Sequence, residues 1–179
     1  MSRWWDAMKD FNYSAIRETG RFERWIARGI RNGPGPYFRY RCACFSLKCR
    51  SPRVTSALVR GARDPTEHFL VRGECLESLA HCAAWYRPRT KLDRKVHGVV
   101  LGCLRDQHPN VRFWACFAAG QMKLLSAKSS LRDLLGDQGL GCMGWTVDYE
   151  AREALKAIHG LPAWEGDVPA GKCPYDPIW

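Results

Sequence analysis

Nowhere in this sequence do about 18 apolar residues run together, so no membrane-spanning helix is expected. The first residues, Met1-Ser2-Arg3-Trp4-Trp5-Asp6, lack the uninterrupted apolar core of a signal peptide. Cysteine is plentiful at nine residues, but no two stand as Cys-x2-Cys. Cys42-x-Cys44-x4-Cys49 comes nearest to a metal motif, yet three thiols at that spacing do not converge on a helix, so zinc is not expected. There is no Gly-rich phosphate loop and no G-x-S-x-G elbow. The spacing of cysteine and histidine favours no nucleophile–base pair. No catalytic residue, cofactor or metal is expected. The odd number of cysteines, several at apolar helix positions, reads as free thiols in a reducing, cytoplasmic setting. Acidic residues are scarce at the start: residues 1–60 hold 4 Asp/Glu against 13 Lys/Arg, out of a whole-chain net charge of +10. That surplus is mostly arginine, which suits planar recognition of carboxylate or phosphate.

What the chain has instead is a repeated stripe. Val71-Arg72…Cys75…Ser78-Leu79…Cys82, Val111-Arg112…Ala115…Ala118-Ala119…Met122 and Val147-Asp148…Ala151…Ala154-Leu155…Ile158 place small or apolar residues at offsets 0, 4, 7, 8 and 11. Their starts are 40 and 36 residues apart, a period that marks an array of helical repeats. Asp64-Pro65-Thr66-Glu67 reads as a capping box and predicts a helix over 65–83. Pro109 opens a second over 109–124, and Thr146 caps a third with Asp148 and Glu150 at its positive end. Shorter helices over 53–63, 93–105 and 128–135 precede these, ending at Asp64, Asp106 and Asp137. Upstream, Phe38, Cys42, Phe45 and Cys49 repeat offsets 0, 4, 7 and 11, so 37–49 reads as the second helix of a degenerate first repeat. Trp4, Trp5, Met8 and Phe11, then Phe22, Trp25 and Ile26, have the spacing of a helical cap stopped by Gly33-Pro34-Gly35-Pro36. The chain therefore divides into one helical-repeat domain, 1–160, and an irregular proline-rich tail, 161–179. Within the domain, 1–52 are cap and degenerate repeat, and 53–160 hold three clear repeats.

The turn aspartate, then Val-Arg, then small residues at buried offsets resembles the HEAT repeat family in its short bacterial form, also seen in phycobilin lyase-like proteins. The resemblance covers roughly 53–160. Asp64 with Arg72 and Asp106 with Arg112 match it. The third repeat departs, with Asp148 where arginine is expected and an insert, 138–145, in its turn. The resemblance implies an all-α, right-handed HEAT-like α-solenoid of three to four helix pairs with an N-terminal helical cap. A solenoid makes surfaces rather than pockets, so it also implies binding ahead of catalysis. Iron-dependent hydroxylases built from HEAT repeats rely on His-Glu dipeptides, and this chain has none.

At 100° per residue, offsets 2, 6, 9 and 13 point away from the buried stripe. In HEAT-like solenoids the second helices line the inner, concave face. That places Phe113, Phe117 and Tyr149 outward as anchors of a partner-binding surface, with Glu77, Glu153 and Lys156 in the same rows and Trp114 and Gln121 beside them. Arg112 either orients a partner or serves as the arginine of the turn. The basic loop Arg87, Arg89, Lys91, Arg94, Lys95 is a candidate contact for nucleic acid or an acidic partner. The function expected first is a non-enzymatic protein-binding module of immunity or antitoxin type that occludes one protein partner bearing an acidic patch, with no membrane role. The alternatives are a nucleic-acid-binding protein like the HEAT-like alkylpurine DNA glycosylases, and a bilin-lyase-like or adaptor protein.

Overall fold

The computed structural model describes residues 19–49, 51–83 and 91–161. They form eight α-helices: α1 (Thr19–Asn32), α2 (Gly35–Phe45), α3 (Pro52–Arg63), α4 (Phe69–Ala83), α5 (Lys91–Cys103), α6 (Pro109–Gln121), α7 (Lys128–Asp133) and α8 (Val147–His159). Among the described residues there is no strand, only one isolated bridge between Leu140 and Thr146. The all-α expectation holds. The stretch from Trp4 to Phe11, the basic pair Arg87 and Arg89, and the tail beyond Leu161 lie outside the described residues.

Local chemistry explains the helix ends. Phe22, Ile26 and Ile30 give α1 a buried stripe, and its run stops at Gly33, whose N–H reaches the Gly29 carbonyl at 2.9 Å, followed by Pro34. Thr146 caps α8 by accepting from the Tyr149 N–H, and Gly160, at φ 72°, closes it in the left-handed conformation that glycine adopts without steric cost. The start of α4 departs from expectation. The helix begins at Phe69 rather than Pro65, because Asp64 Oδ1 accepts from both the N–H (2.9 Å) and the hydroxyl (2.7 Å) of Thr66 and closes a turn of its own. His68 Nδ1 then accepts the Leu70 N–H at 3.2 Å. The same device opens α6: Asp106 Oδ1 accepts the His108 N–H, and His108 Nδ1 accepts the Asn110 N–H. The two histidines are caps.

The helices lie in two ranks. One is α1, α3 and α5, each packed on the next; the other is α2, α4, α6 and α8, likewise. Consecutive helices α1–α2, α3–α4, α5–α6 and α7–α8 touch across the ranks. Phe45, Leu58, Leu76, Leu79, Val100 and Leu104 are fully buried. Every position of the three stripes is buried except Met122 and Leu155, which are half-buried against the core. Small residues let the second rank close up. A Cβ on Gly120 would stand 2.8 Å from the Ala154 Cα, so α6 and α8 meet backbone to backbone there.

Three arginines tie each pair of helices to the next. Arg39 grips Glu67 with two bonds of 2.5 and 2.9 Å. Arg72 forks onto Asp106 and also donates to the Ala62 carbonyl. Arg112 donates to Asp137 at 2.8 Å and to the carbonyls of Asp106 and Gln107. The series ends there, since α8 carries Asp148 where an arginine would continue it. Asp148 instead accepts from the Gly136 N–H and from Arg152.

Candidate functional site

The second rank brings three helices into one register. Counted from Val71, Val111 and Val147, offset 3 holds Glu74, Trp114 and Glu150, and offset 6 holds Glu77, Phe117 and Glu153. Two rings on α6 therefore stand between two carboxylate pairs on α4 and α8. Trp114 and Phe117 meet edge to face at 5.4 Å, and His81 leans on Phe117 at 5.7 Å. Trp145 and Tyr149 pair at 4.1 Å beside α8. Trp114, Phe117, Tyr149, Glu77 and Glu153 are half-buried, and Gln121 is exposed at the end of α6. Lys156 is held by Glu153 at 2.6 Å.

Phe113 is a correction. Expected on the open side, it is only 5% exposed. The insert after Asp137 folds back over it, and Gly141 lies so close that a Cβ there would collide with the Phe113 ring. Gly73 and Gly120, placed on the same open row by helix geometry, are likewise buried against α6 and α8. On α4 and α6 those rows are seams between neighbouring helices, and the accessible strip is made by offsets 3, 6 and 10, from which Glu74 is withdrawn by burial. Arg112 stands apart from it, engaged at the turn. Lys91, Arg94 and Lys95 are exposed on α5, in the other rank.

Burial shapes the acids. Glu74 lies beneath Tyr40 and Cys44; burial, then the charge of Glu77, pushes its carboxyl up to about 8. Glu77 is raised by burial as well. Burial and the neighbouring Glu153 push Glu150 up to about 7. The band is thus an aromatic centre with reluctant carboxylates on both sides, a setting that gains from any cation able to replace the lost water. Neither Glu74 nor Trp145 is anticipated from the sequence. Glu74 has the offset-3 signal of Trp114, whereas Trp145 lies in an insert without periodicity.

Redox and nucleophilic chemistry have little footing here. The eight described cysteines are free thiols, and burial pushes Cys82 and Cys103 up to about 11 and Cys116 and Cys42 higher still. Such thiols are poor nucleophiles at neutral pH. Among the described residues no three His, Cys, Asp or Glu side chains gather as a metal site, and no helix is long and apolar enough to cross a membrane. No protein-family model matches the chain, and no curated protein matches it.

Proposed function

We propose that this chain is a right-handed HEAT-like α-solenoid acting as a non-enzymatic protein-binding module, in the manner of an immunity or antitoxin protein that occludes one partner. The observation that supports it best is the band of Trp114 and Phe117 between Glu74–Glu77 and Glu150–Glu153. Large rings flanked by the half-buried Glu77, Glu150 and Glu153, with the buried Glu74 behind them, are the composition of a binding hot spot with a charged rim. The acidic patch expected of the partner suits the arginines, whereas the band itself suits a basic segment of the partner. Among the described residues most exposed arginines lie on the other rank, so the segment that docks here carries lysine or arginine side chains that lie over the rings and neutralise the acids.

The test is capture of the partner by the full chain and by Phe117→Asp. The ring of Phe117 is half-buried, and the variant should keep its helicity by circular dichroism while partner retention falls by about tenfold or more. Undiminished capture by a folded Phe117→Asp chain would remove the band from consideration. Phe113→Asp is unsuitable for this purpose, because a charge beneath the insert would unfold the region.

A further inference from the structure

We propose a second binding surface on the opposite rank: the groove between α3 and α5 seats the sugar–phosphate backbone of double-stranded nucleic acid. The groove has a volume of about 790 Å³. Arg60 and Arg63 line it from α3 and Lys95 from α5. All three are exposed, and none has an ion-pair partner among the described residues. Helix α3 carries no acidic residue, and among the described residues the one carboxylate lining the groove, Asp106, is already held by Arg72. Among the described residues Arg60 and Arg63 share the last turn of α3 with one nearby acid, Asp64, whose carboxyl is held low by its bonds from Thr66 and then by Arg60. Cations in excess of their acids repel one another unless an anion sits between them.

Three further observations choose among anions. First, the charge does not stop at the groove. Arg53 on α3, Lys91 and Arg94 on α5, and Arg24, Arg28 and Arg31 on α1 are exposed along the same rank. A small anion would engage three cations and leave the others unused, whereas an extended polyanion engages the row. Second, the lining is aliphatic where it is apolar, with Val59, Leu92 and Val99 but, among the described residues, no aromatic ring. Single strands are held by stacking bases on aromatic faces, and the described lining offers none, so a backbone with its bases turned inward is the better match. Third, a Cβ built on Gly98 or Gly102 meets nothing within 4 Å. These two residues, one turn apart on α5, open the groove and let a ridge of sugar and phosphate approach the helix backbone.

Fluorescence anisotropy of a labelled 20-base-pair DNA duplex, across a salt series, tests this on the full chain. Three groove phosphates predict a slope of log K against log salt of about −3 or steeper. Arg60→Gln with Arg63→Gln should flatten it by about 2 and weaken binding about tenfold or more at 0.1 M salt. Arg24→Gln with Arg28→Gln, the same loss of charge on α1, should cost clearly less. Gly98→Leu fills the groove without altering charge and favours the helix, and it should also weaken the duplex about tenfold while circular dichroism stays unchanged. A single strand of equal length should bind more weakly than the duplex. Equal losses from the α1 and α3 pairs, or full affinity in Gly98→Leu, would mean diffuse attraction by a basic protein and overturn the groove. Competition by ATP or inorganic phosphate at the duplex's own affinity would overturn it in favour of a small anion. A single strand binding as tightly as the duplex would defeat the backbone reading. The proposal does not rest on the band of the second rank, and these variants should leave protein-partner capture intact.

Discussion

Glu150 and His108 are half-buried titratable side chains, and their effects on stability run in opposite directions. An unfolded glutamate releases its proton near pH 4.5, but in the fold burial and Glu153 hold the proton on Glu150 to about pH 7. Between those values the native state binds more protons than the unfolded state, so stability falls as pH rises through the window. His108 is depressed, chiefly by burial, with Asp106 opposing and Arg112, His68 and Arg72 adding to the effect. Its neutral Nδ1 is the cap of α6, so its contribution is lost as pH falls below the ordinary histidine range. Thermal melts should separate the two. The Tm advantage of Glu150→Gln over the parent should grow from pH 4.5 to 7.5, and an advantage that stays flat over that range would mean the carboxyl ionises freely. The sequence discloses part of this scale. The stripe residues and Thr146 are readable because their signals are local, and so is the free state of the buried thiols. Phe113 is not, because what covers it is Gly141, more than a helix length further along, and nothing at offset 2 announces that contact. Arg39 escapes notice for a different reason. It sits one residue after Phe38, at the offset of Arg72 and Arg112, but its acceptor is Glu67 rather than a turn aspartate.

At the scale of the helix, glycines divide into those that let neighbours approach and those that face open space. Gly120 belongs to the first kind, with the Ala154 backbone where its side chain would be. Gly98 belongs to the second. The same substitution should therefore have opposite signs on α6 and α5. Gly120→Ala forces α6 and α8 apart and should cost about 1–3 kcal/mol. Gly98→Ala only restricts the unfolded chain and should gain about 0.5–1 kcal/mol. Urea midpoints would show the pair, and a neutral Gly120→Ala would mean that the second rank is less tightly closed than its backbone contact requires. Element by element, the sequence places most helices within a few residues, since proline, aspartate and glycine punctuate them. It misplaces the start of α4 because Asp64 satisfies two kinds of turn equally well on paper. The hydroxyl and N–H of Thr66 decide the matter by bonding the aspartate before a helix can begin.

Across the whole molecule, the seam between the second and third helix pairs is unlike the others. On the first rank it contains the groove, where Gly98, Gly102 and Ser56 leave an opening along the contact of α3 with α5. On the second rank α4 and α6 are closely packed, and Gly73 lies against Trp114 and Asn110. Two polar ties also cross the seam: the Cys103 thiol of α5 donates to the Ala62 carbonyl of α3 at 3.6 Å, and Arg72, whose side chain is 9% exposed, joins Asp106 and that same carbonyl. A stack of units held by neighbour contacts unfolds as one body only while each seam is stronger than the unit is weak. Weakening this seam should then divide the molecule. Arg72→Met keeps the apolar stem but removes the charged donor from Asp106, which retains only the His108 N–H, and one of the two donors to the Ala62 carbonyl, a loss of about 3 kcal/mol. Hydrogen exchange read by mass spectrometry should show similar protection through α1–α4 and α5–α8 in the parent, and two distinct levels in the variant, split between α4 and α5. Arg152→Ala serves as the control. Its arginine is 58% exposed and bonds within α8, so it should change protection by no more than about 0.5 kcal/mol and equally on both sides. Uniform loss of protection in Arg72→Met would mean that the packing of α4 on α6 alone carries cooperativity across the groove. The arginine series would then be three local turn contacts with no role in joining the repeats.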